Sequence, residues 1–342
     1  MSRLVILSNG LTDRPDEGFL NVANNLVKRI KQKQPDTLVV SYERQAAVTD
    51  RFLTLNKCLL NRSLFSLLRR ERGRVLHIPF PAKAVSTAVR LFILSLLAGK
   101  RVQALLVMKS EYPLVARLLL RFSGAQVLVL SAEAADFYRT ILPEKRVVHL
   151  RAGVDCKRFT PVSTEHKRKL KEQYGFDPDR PVVLHVGHLK KGRGVGELLK
   201  LNPRYQVVLV TSTLTASEQD AALRQQLTER DNVRLITEYL PHIEEVYQLS
   251  DVYFFPTVAS CHCIDIPLSC MEAAACGISV VTTDYGEMKA FAGKDGFWFI
   301  GSFAADALNA LVEQAIRAGA EANSREAVSD YDWDNAVSYL TE

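Results

Sequence analysis

No apolar run in the 342-residue sequence is long enough to cross a bilayer. The longest, Leu91 to Ala98, is less than half of the roughly twenty residues a spanning helix needs. Cysteine is scarce: of six in the chain, Cys261, Cys263, Cys270 and Cys276 crowd into one short stretch. Cys58 and Cys156 stand apart, so no framework spacing of a disulfide-stapled secreted domain exists. The opening residues, MSRLVILSNG, carry no basic leader and no small-residue cleavage site. These absences lead us to expect a cytoplasmic protein. Repeats of solenoid period and low-complexity tracts are also missing. The basic residues are not interleaved with aromatics on a recognisable module, which argues against a nucleic-acid partner.

What is there is an ordinary globular balance, 47% hydrophobic and 24% charged, on a chain long enough for two cores. The net charge of +6 leaves phosphate-bearing substrates, anionic lipid and nucleic acid open when taken alone. Its distribution is uneven. Arg62, Arg69, Arg70, Arg72 and Arg74 are opposed only by Glu71, and a second basic stretch runs from Lys157 to Lys171. Between Asn61 and Lys109 the first cluster mixes with Leu64, Phe65, Leu67, Leu68 and the apolar run from Leu91. Two readings stand: a basic amphipathic patch for anionic lipid, and a core-facing helix with a solvated basic face.

The apolar pattern alternates between short β-branched runs and helical spacing. Leu4 to Leu7 reads as a buried strand, followed by a Gly10 to Gly18 loop. Phe19 to Ile30 then places its apolar residues on one helical face. Strands are expected at 37–41, 74–78, 104–107, 126–130 and 147–150, with helices at 87–98 and 113–122. After a polar stretch containing a helix near 165–174, a second series begins at Pro181. Its strands fall at 181–186, 206–210, 234–236, 252–255 and 279–281. Two such runs on one chain predict two doubly wound α/β domains facing each other across a cleft.

Two segments carry chemistry. In Leu184-His185-Val186-Gly187-His188-Leu189-Lys190-Lys191-Gly192-Arg193-Gly194 a strand ends in glycine, and a cationic, glycine-broken turn leads into a helix. Backbone N–H groups at such a turn, with cationic side chains beside them, suit a diphosphate; an ordinary βα turn with solvated lysines has the same look. In the second, strand 252–255 runs into a loop and a helix that starts near Pro267 and carries Glu272. A carboxylate there can accept ribose hydroxyls, or merely answer the helix dipole.

With Gly153-Val154-Asp155-Cys156-Lys157-Arg158-Phe159-Thr160-Pro161, these segments resemble the family 4 glycosyltransferases of the GT-B fold. That family commonly joins its domains through G-V-D-x-x-R-F-x-P, matched here in full, and the resemblance covers most of residues 147 to 342. It implies an N-terminal acceptor domain over 1–150, a nucleotide-sugar donor domain over 151–328, and a closing helix over 329–342, around Trp333, that returns to the first domain. It further implies transfer of a sugar from a nucleoside diphosphate with retention, to a glycan or lipid-linked glycan, with no metal and no resident cofactor. By the same resemblance, Glu272 meets the ribose and Arg193 replaces the lysine on the donor diphosphate, with Gly187, His188 and Lys191 beside it. Glu238, Tyr239 and Leu240 lie by the base, and Pro267, Leu268 and Ser269 form the donor loop. A lipid-linked acceptor implies peripheral contact with the inner face of the membrane.

In three further respects the sequence departs from the family pattern. His188 replaces the donor-phosphate arginine. The first glutamate of the E-x7-E motif falls on Ile264, leaving Asp265 as the nearest carboxylate, and we count it with Arg193 and Glu272 among the expected catalytic residues. The first half has no clear counterpart of the family's cleft histidine. His77 and Glu111 are the candidates on that side, with the Gly10 and Gly18 loop; His77 is equally readable as a satisfied strand-end residue. Cys261-His262-Cys263 is too tight for zinc-ribbon spacing. Ile264 and His188 also fit a degenerate subunit that keeps the fold as a binding scaffold. An epimerase or phosphorylase of the same fold is disfavoured by the 153–161 linker.

Overall fold

The computed structural model describes residues 3–342 except 16–17, 57, 72, 81–82, 100–101, 212–219 and 259–262. Contacts divide the chain into two compact units. The first holds residues up to Ala152, the short stretch Ile264–Ile266 and the tail from Trp333; the second holds Gly153–Cys263 and Pro267–Asp332.

In the first unit the chain runs β1 (Leu4–Ser8), α1 (Gly18–Lys33), β2 (Leu38–Ser41), β3 (Arg51–Phe52), α2 (Arg62–Glu71), β4 (Arg74–Ile78), α3 (Ala84–Ala98), β5 (Val102–Leu106), α4 (Leu114–Ser123), β6 (Gln126–Val129), α5 (Ala132–Arg139) and β7 (Val147–His149). All the strands pair in parallel, in the order β3-β2-β1-β4-β5-β6-β7. The central strands are buried on both faces, which is why they read as continuous apolar runs. Leu64, Leu67 and Leu68 of α2 are buried, as are Leu91 and Leu94 of α3, while Arg62, Arg69 and Arg70 are exposed. Between the two readings of the 61–109 region, the core-facing helix is the one that describes α2.

The second unit runs α6 (Thr164–Gln173), β8 (Val182–Val186), β9 (Gln206–Val210), α7 (Ala221–Thr228), β10 (Val233–Ile236), α8 (Ile243–Gln248), β11 (Val252–Phe255), α9 (Leu268–Ala275), β12 (Ser279–Thr282), β13 (Phe297–Phe299), α10 (Ala305–Ala318) and α11 (Ser324–Val328). Its sheet is again parallel, ordered β10-β9-β8-β11-β12-β13. The helix expected after Gly194 is a 3-10 segment, Val195–Lys200. At the lower end of this sheet Asp251 accepts from Lys171 Nζ at 2.9 Å and from the Val182 amide at 2.8 Å. Burial alone would raise the Asp251 pKa, but the ammonium groups of Lys167 and Lys171 outweigh it and hold the carboxyl below its ordinary value.

The last helix, α12 (Trp333–Thr341), belongs to the first unit and packs on α1. Arg29 pairs with Asp334 at 3.2 Å, and the Gln34 side chain donates to Thr341 O at 2.7 Å. Two parallel doubly wound sheets with a C-terminal helix returning to the first define the GT-B architecture. Each sheet reverses its strand order once, between β1 and β4 and between β8 and β11. Ligands of open α/β sheets bind outside the carboxyl ends of the strands at such reversals.

Candidate functional site

The reversal between β8 and β11 gathers the cationic turn. β8 runs into Gly187, whose amide donates to Val210 O at 2.9 Å. After Gly187 the chain turns back, so that the Arg193 guanidinium lies over that glycine. A Cβ built on Gly187 would lie 3.1 Å from Arg193 Nη1 and equally close to His185 Nε2. Arg193 Nε is buried and has no hydrogen-bond partner among the described residues, while the Arg193 carbonyl accepts from Thr257 Oγ1 at 3.2 Å. His188 is partly buried in the turn, with its carbonyl taken by the Lys190 amide. Lys191 opens the 3-10 turn Lys191–Arg193; its side chain lies outside the described part of the structure.

Gly194 closes the turn at φ +67°, a left-handed conformation natural to glycine. A Cβ there would collide with the carbonyl oxygen of Pro256, just past β11. The glycine therefore lets the turn press against the end of the neighbouring strand. We expect Gly194→Ala to cost about 2 kcal/mol or more in denaturant unfolding, from left-handed strain plus backbone displacement. An unchanged unfolding midpoint would show that the turn has no need of glycine.

α9 enters from the other side of the reversal. Pro267 and Leu268 are buried at its start, and Ser269 hydrogen-bonds the Tyr253 hydroxyl. That hydroxyl also donates to Val186 O at 3.2 Å, so the head of α9 and the Gly187 turn share one tyrosine. Glu272, one turn further on, accepts from Tyr247 Oη at 2.7 Å. Burial pushes the Glu272 carboxyl up to about 7, against the opposing pull of the tyrosine hydrogen bond and the Arg158 charge. A row of rings joins the two groups: Tyr247 and Tyr253 have centroids 5.9 Å apart, Tyr253 and His185 6.4 Å. His185 is fully buried and gives Nδ1 to Phe254 O at 2.8 Å. Burial, helped by Arg193, lowers it to about 4, so it is a neutral ring at neutral pH. His185, Tyr247 and Tyr253 were not among the expected site residues, since a tyrosine on a helix and one on a strand carry no motif. Alternation gives no signal either, since the register pairs Tyr253 with Leu184 and not with His185.

Glu238, Tyr239 and Leu240 follow the carboxyl end of β10, with Glu238 and Tyr239 exposed. Asp265 is grouped with the first unit, where its amide donates to Val107 O at 3.1 Å and its charge adds to the burial that raises Tyr138. Ile264 is buried there too, within reach of a Cβ on Gly18. Of the remaining first-unit candidates, Gly10 is buried and gives its amide to Ser8 Oγ at 3.1 Å, and Glu111 is exposed on the loop before α4. His77 is fully buried and donates through Nδ1 to Leu7 O at 3.0 Å. Burial lowers it to about 3, so it is a strand-end residue of the interior rather than a solvent-facing group. The reversal between β1 and β4 is instead spanned by Asn9, which no motif announced. Its Oδ1 accepts from the Phe80 amide at 2.8 Å and its Nδ2 donates to Glu43 at 3.0 Å. Cys261 and His262 lie outside the described residues, and among those described no three His, Cys, Asp or Glu come together to hold a metal.

Residues 166–331, a stretch that lies within the second unit, match the family described as glycosyl transferases group 1. The alpha-maltose-1-phosphate synthase of Mycolicibacterium smegmatis is 28% identical over 184 residues, 50% of this chain and 46% of that protein. The GDP-mannose-dependent monoacylated alpha-(1-6)-phosphatidylinositol monomannoside mannosyltransferase of Corynebacterium glutamicum is 28% identical over 151 residues, 40% and 38% of the two chains. The chain thus matches less than half the length of these relatives. HepE of Anabaena, solved in complex with UDP, superposes with a TM-score of 0.77 at 16% identity over 99% of this chain and 98% of that one. A glycosyltransferase from Rickettsia africae gives 0.76 at 12% identity over 99% and 97%. At such identities these structures establish the fold.

Proposed function

We propose that the chain transfers a sugar from a nucleoside diphosphate sugar to an acceptor that is a glycan or lipid-linked glycan, with retention of configuration and without a required metal or resident cofactor. The observation that carries the reading is Arg193 Nε at the β8–β11 reversal, buried and without a partner among the described residues. A buried cationic donor left unpaired costs free energy, and a diphosphate oxygen would satisfy it. Glu272, on α9 and linked to the turn through Tyr247 and Tyr253, is placed to accept ribose hydroxyls. Arg193 and the N–H groups of the turn would then stabilise the charge that grows on the leaving diphosphate. The UDP bound by HepE and the GDP-mannose named for the Corynebacterium relative support a nucleotide-sugar donor of one of these kinds. Asp265 is our candidate for the carboxylate that meets the sugar, on the resemblance alone.

Among the described residues no helix is long and apolar enough to cross a membrane. A lipid-linked acceptor would make the chain a peripheral protein of the inner membrane face.

The test is a thermal-shift screen against UDP-, GDP- and ADP-sugars, followed by a transfer assay with the donor that binds. At about a hundred times its dissociation constant, one donor should add about 2.7 kcal/mol, a shift of several degrees. Asp265→Asn should keep that shift and lose transfer. A donor that binds wild type without transfer or hydrolysis would support the scaffold reading that Ile264 favours, and no shift with any nucleotide would refute both.

A further inference from the structure

Four bulky apolar side chains stand in solvent on one short helix. Leu114, Val115, Leu118 and Phe122 of α4 are 73%, 68%, 46% and 73% exposed, while Ala116, Leu120 and Ser123 on the other side are buried. Their spacing puts the four on one stripe, so α4 is apolar on both its inner and outer faces. α3 packs against α4 and repeats the pattern. Val85 and Leu96 are exposed, and Val89 and Phe92 between them are only partly buried, so a helix apolar nearly all round is covered on one side. Single exposed apolar residues are ordinary; two adjacent helices that both turn such faces outward are not.

The charge carried by the two helices has one sign: neither α3 nor α4 contains an Asp or Glu. Arg117 and Arg121 are exposed on α4, and Lys83 is exposed just before α3. A symmetric second copy would bring two such positive surfaces together, which like-charge repulsion opposes. A neutral apolar partner leaves the excess of cations unanswered. The surface that answers both features is a layer of anionic headgroups over acyl chains. A ten-residue helix is about 15 Å long, half the hydrocarbon thickness, so it would lie along the surface rather than cross it.

We propose that the outer face of α3 and α4 docks the first unit on an anionic lipid surface. Leu114, Val115, Leu118 and Phe122 enter the headgroup–acyl boundary, and Arg117, Arg121 and Lys83 meet lipid phosphates. This extends the membrane location offered above to a named face, and its test uses neither donor nor acceptor, so the two readings fail separately.

The experiment is flotation of the full chain with vesicles of phosphatidylcholine alone or mixed equally with phosphatidylglycerol. Wild type should float with the mixed vesicles, at least about tenfold more than with phosphatidylcholine alone, and be released by raised salt. Leu114→Ser with Phe122→Ser should reduce flotation about tenfold, with the melting midpoint unchanged because both side chains are already in water. Arg121→Glu, which leaves the apolar stripe whole, should also weaken it. Failure of wild type to float, or equal flotation with both vesicles, would overturn the proposal. So would a concentration-dependent dimer in size-exclusion chromatography that the serine variant abolishes, since the face would then belong to a second copy.

Discussion

Arg193→Ala should abolish donor-induced stabilisation while leaving the melting midpoint of the empty protein within about 2 °C of wild type. The two halves of that expectation have separate causes. Among the described residues Arg193 Nε is buried without a partner, and an unmet donor of this kind costs on the order of 1–3 kcal/mol. Removing it relieves that cost and forfeits the packing of the side-chain stem over Gly187, so the two changes nearly cancel. Bound diphosphate reverses the account. Charge-assisted hydrogen bonds contribute about 1.5–3 kcal/mol each, so losing one or two should weaken donor binding about a hundredfold or more.

Arg193→Lys sharpens the test. A lysine keeps the charge and loses the planar fork, and it is the residue that the family resemblance places here. It should bind donor within about tenfold of wild type. Titration by calorimetry, beside thermal unfolding without ligand, reads both quantities. If Arg193→Ala lowered the empty midpoint by as much as it lowered donor response, the guanidinium would be a brace for the turn and the donor reading would lose its main support.

The fold was legible because each buried parallel strand writes itself as an uninterrupted apolar run, and each intervening helix as a 3.6-residue stripe. Leu4–Ser8 and Val182–Val186 are of this kind. β3, two exposed residues at a sheet edge, and β13, three residues long, are too short for any period to show. The cationic turn was legible for a different reason. Gly194 is required by backbone geometry, at a positive φ against the Pro256 carbonyl, and Gly187 leaves room for the Arg193 guanidinium. Such requirements survive as letters in the sequence.

Side-chain convergence leaves no such letter. Tyr247 and Tyr253 connect Glu272 to the turn only because α8 packs beside α9 and β11 pairs with β8. Residues 264–266 are the clearest case. As sequence they read as part of a donor-domain loop, yet Ile264 is buried in the first unit and the Asp265 amide is held by Val107 O. An apolar side chain seeks an interior, and which one is a matter of tertiary structure. The apolar face of α4 was passed over for a related reason. Arginine-rich α2 carries the stronger amphipathic signal, but the structure turns its leucines inward and leaves Leu114 and Leu118 of α4 outside.

The stability of the chain and its hold on a donor should respond to pH in opposite senses near neutrality, and Glu272→Gln should flatten both. Burial raises the Glu272 carboxyl to about 7 in the folded protein, while the unfolded chain titrates near the ordinary 4.5. Between those values the folded state holds a proton that the unfolded state has released, so stability is greatest at the acid end and falls as pH rises towards 7. The shift corresponds to no more than about 3 kcal/mol, less in proportion to the water that reaches a partly buried group. A ribose hydroxyl, however, is best accepted by the ionised carboxylate, which already takes one hydrogen bond from Tyr247. Donor affinity should therefore climb through pH 7 as the empty protein loses stability, the carboxylate being strained until a ligand shares its charge. Glutamine has the same shape and no titration, so it should level both curves and bind donor at the level of the protonated acid. Urea unfolding and donor titration over this pH range, on wild type and Glu272→Gln, decide the matter. Parallel affinity curves for the two proteins would remove Glu272 from the ribose.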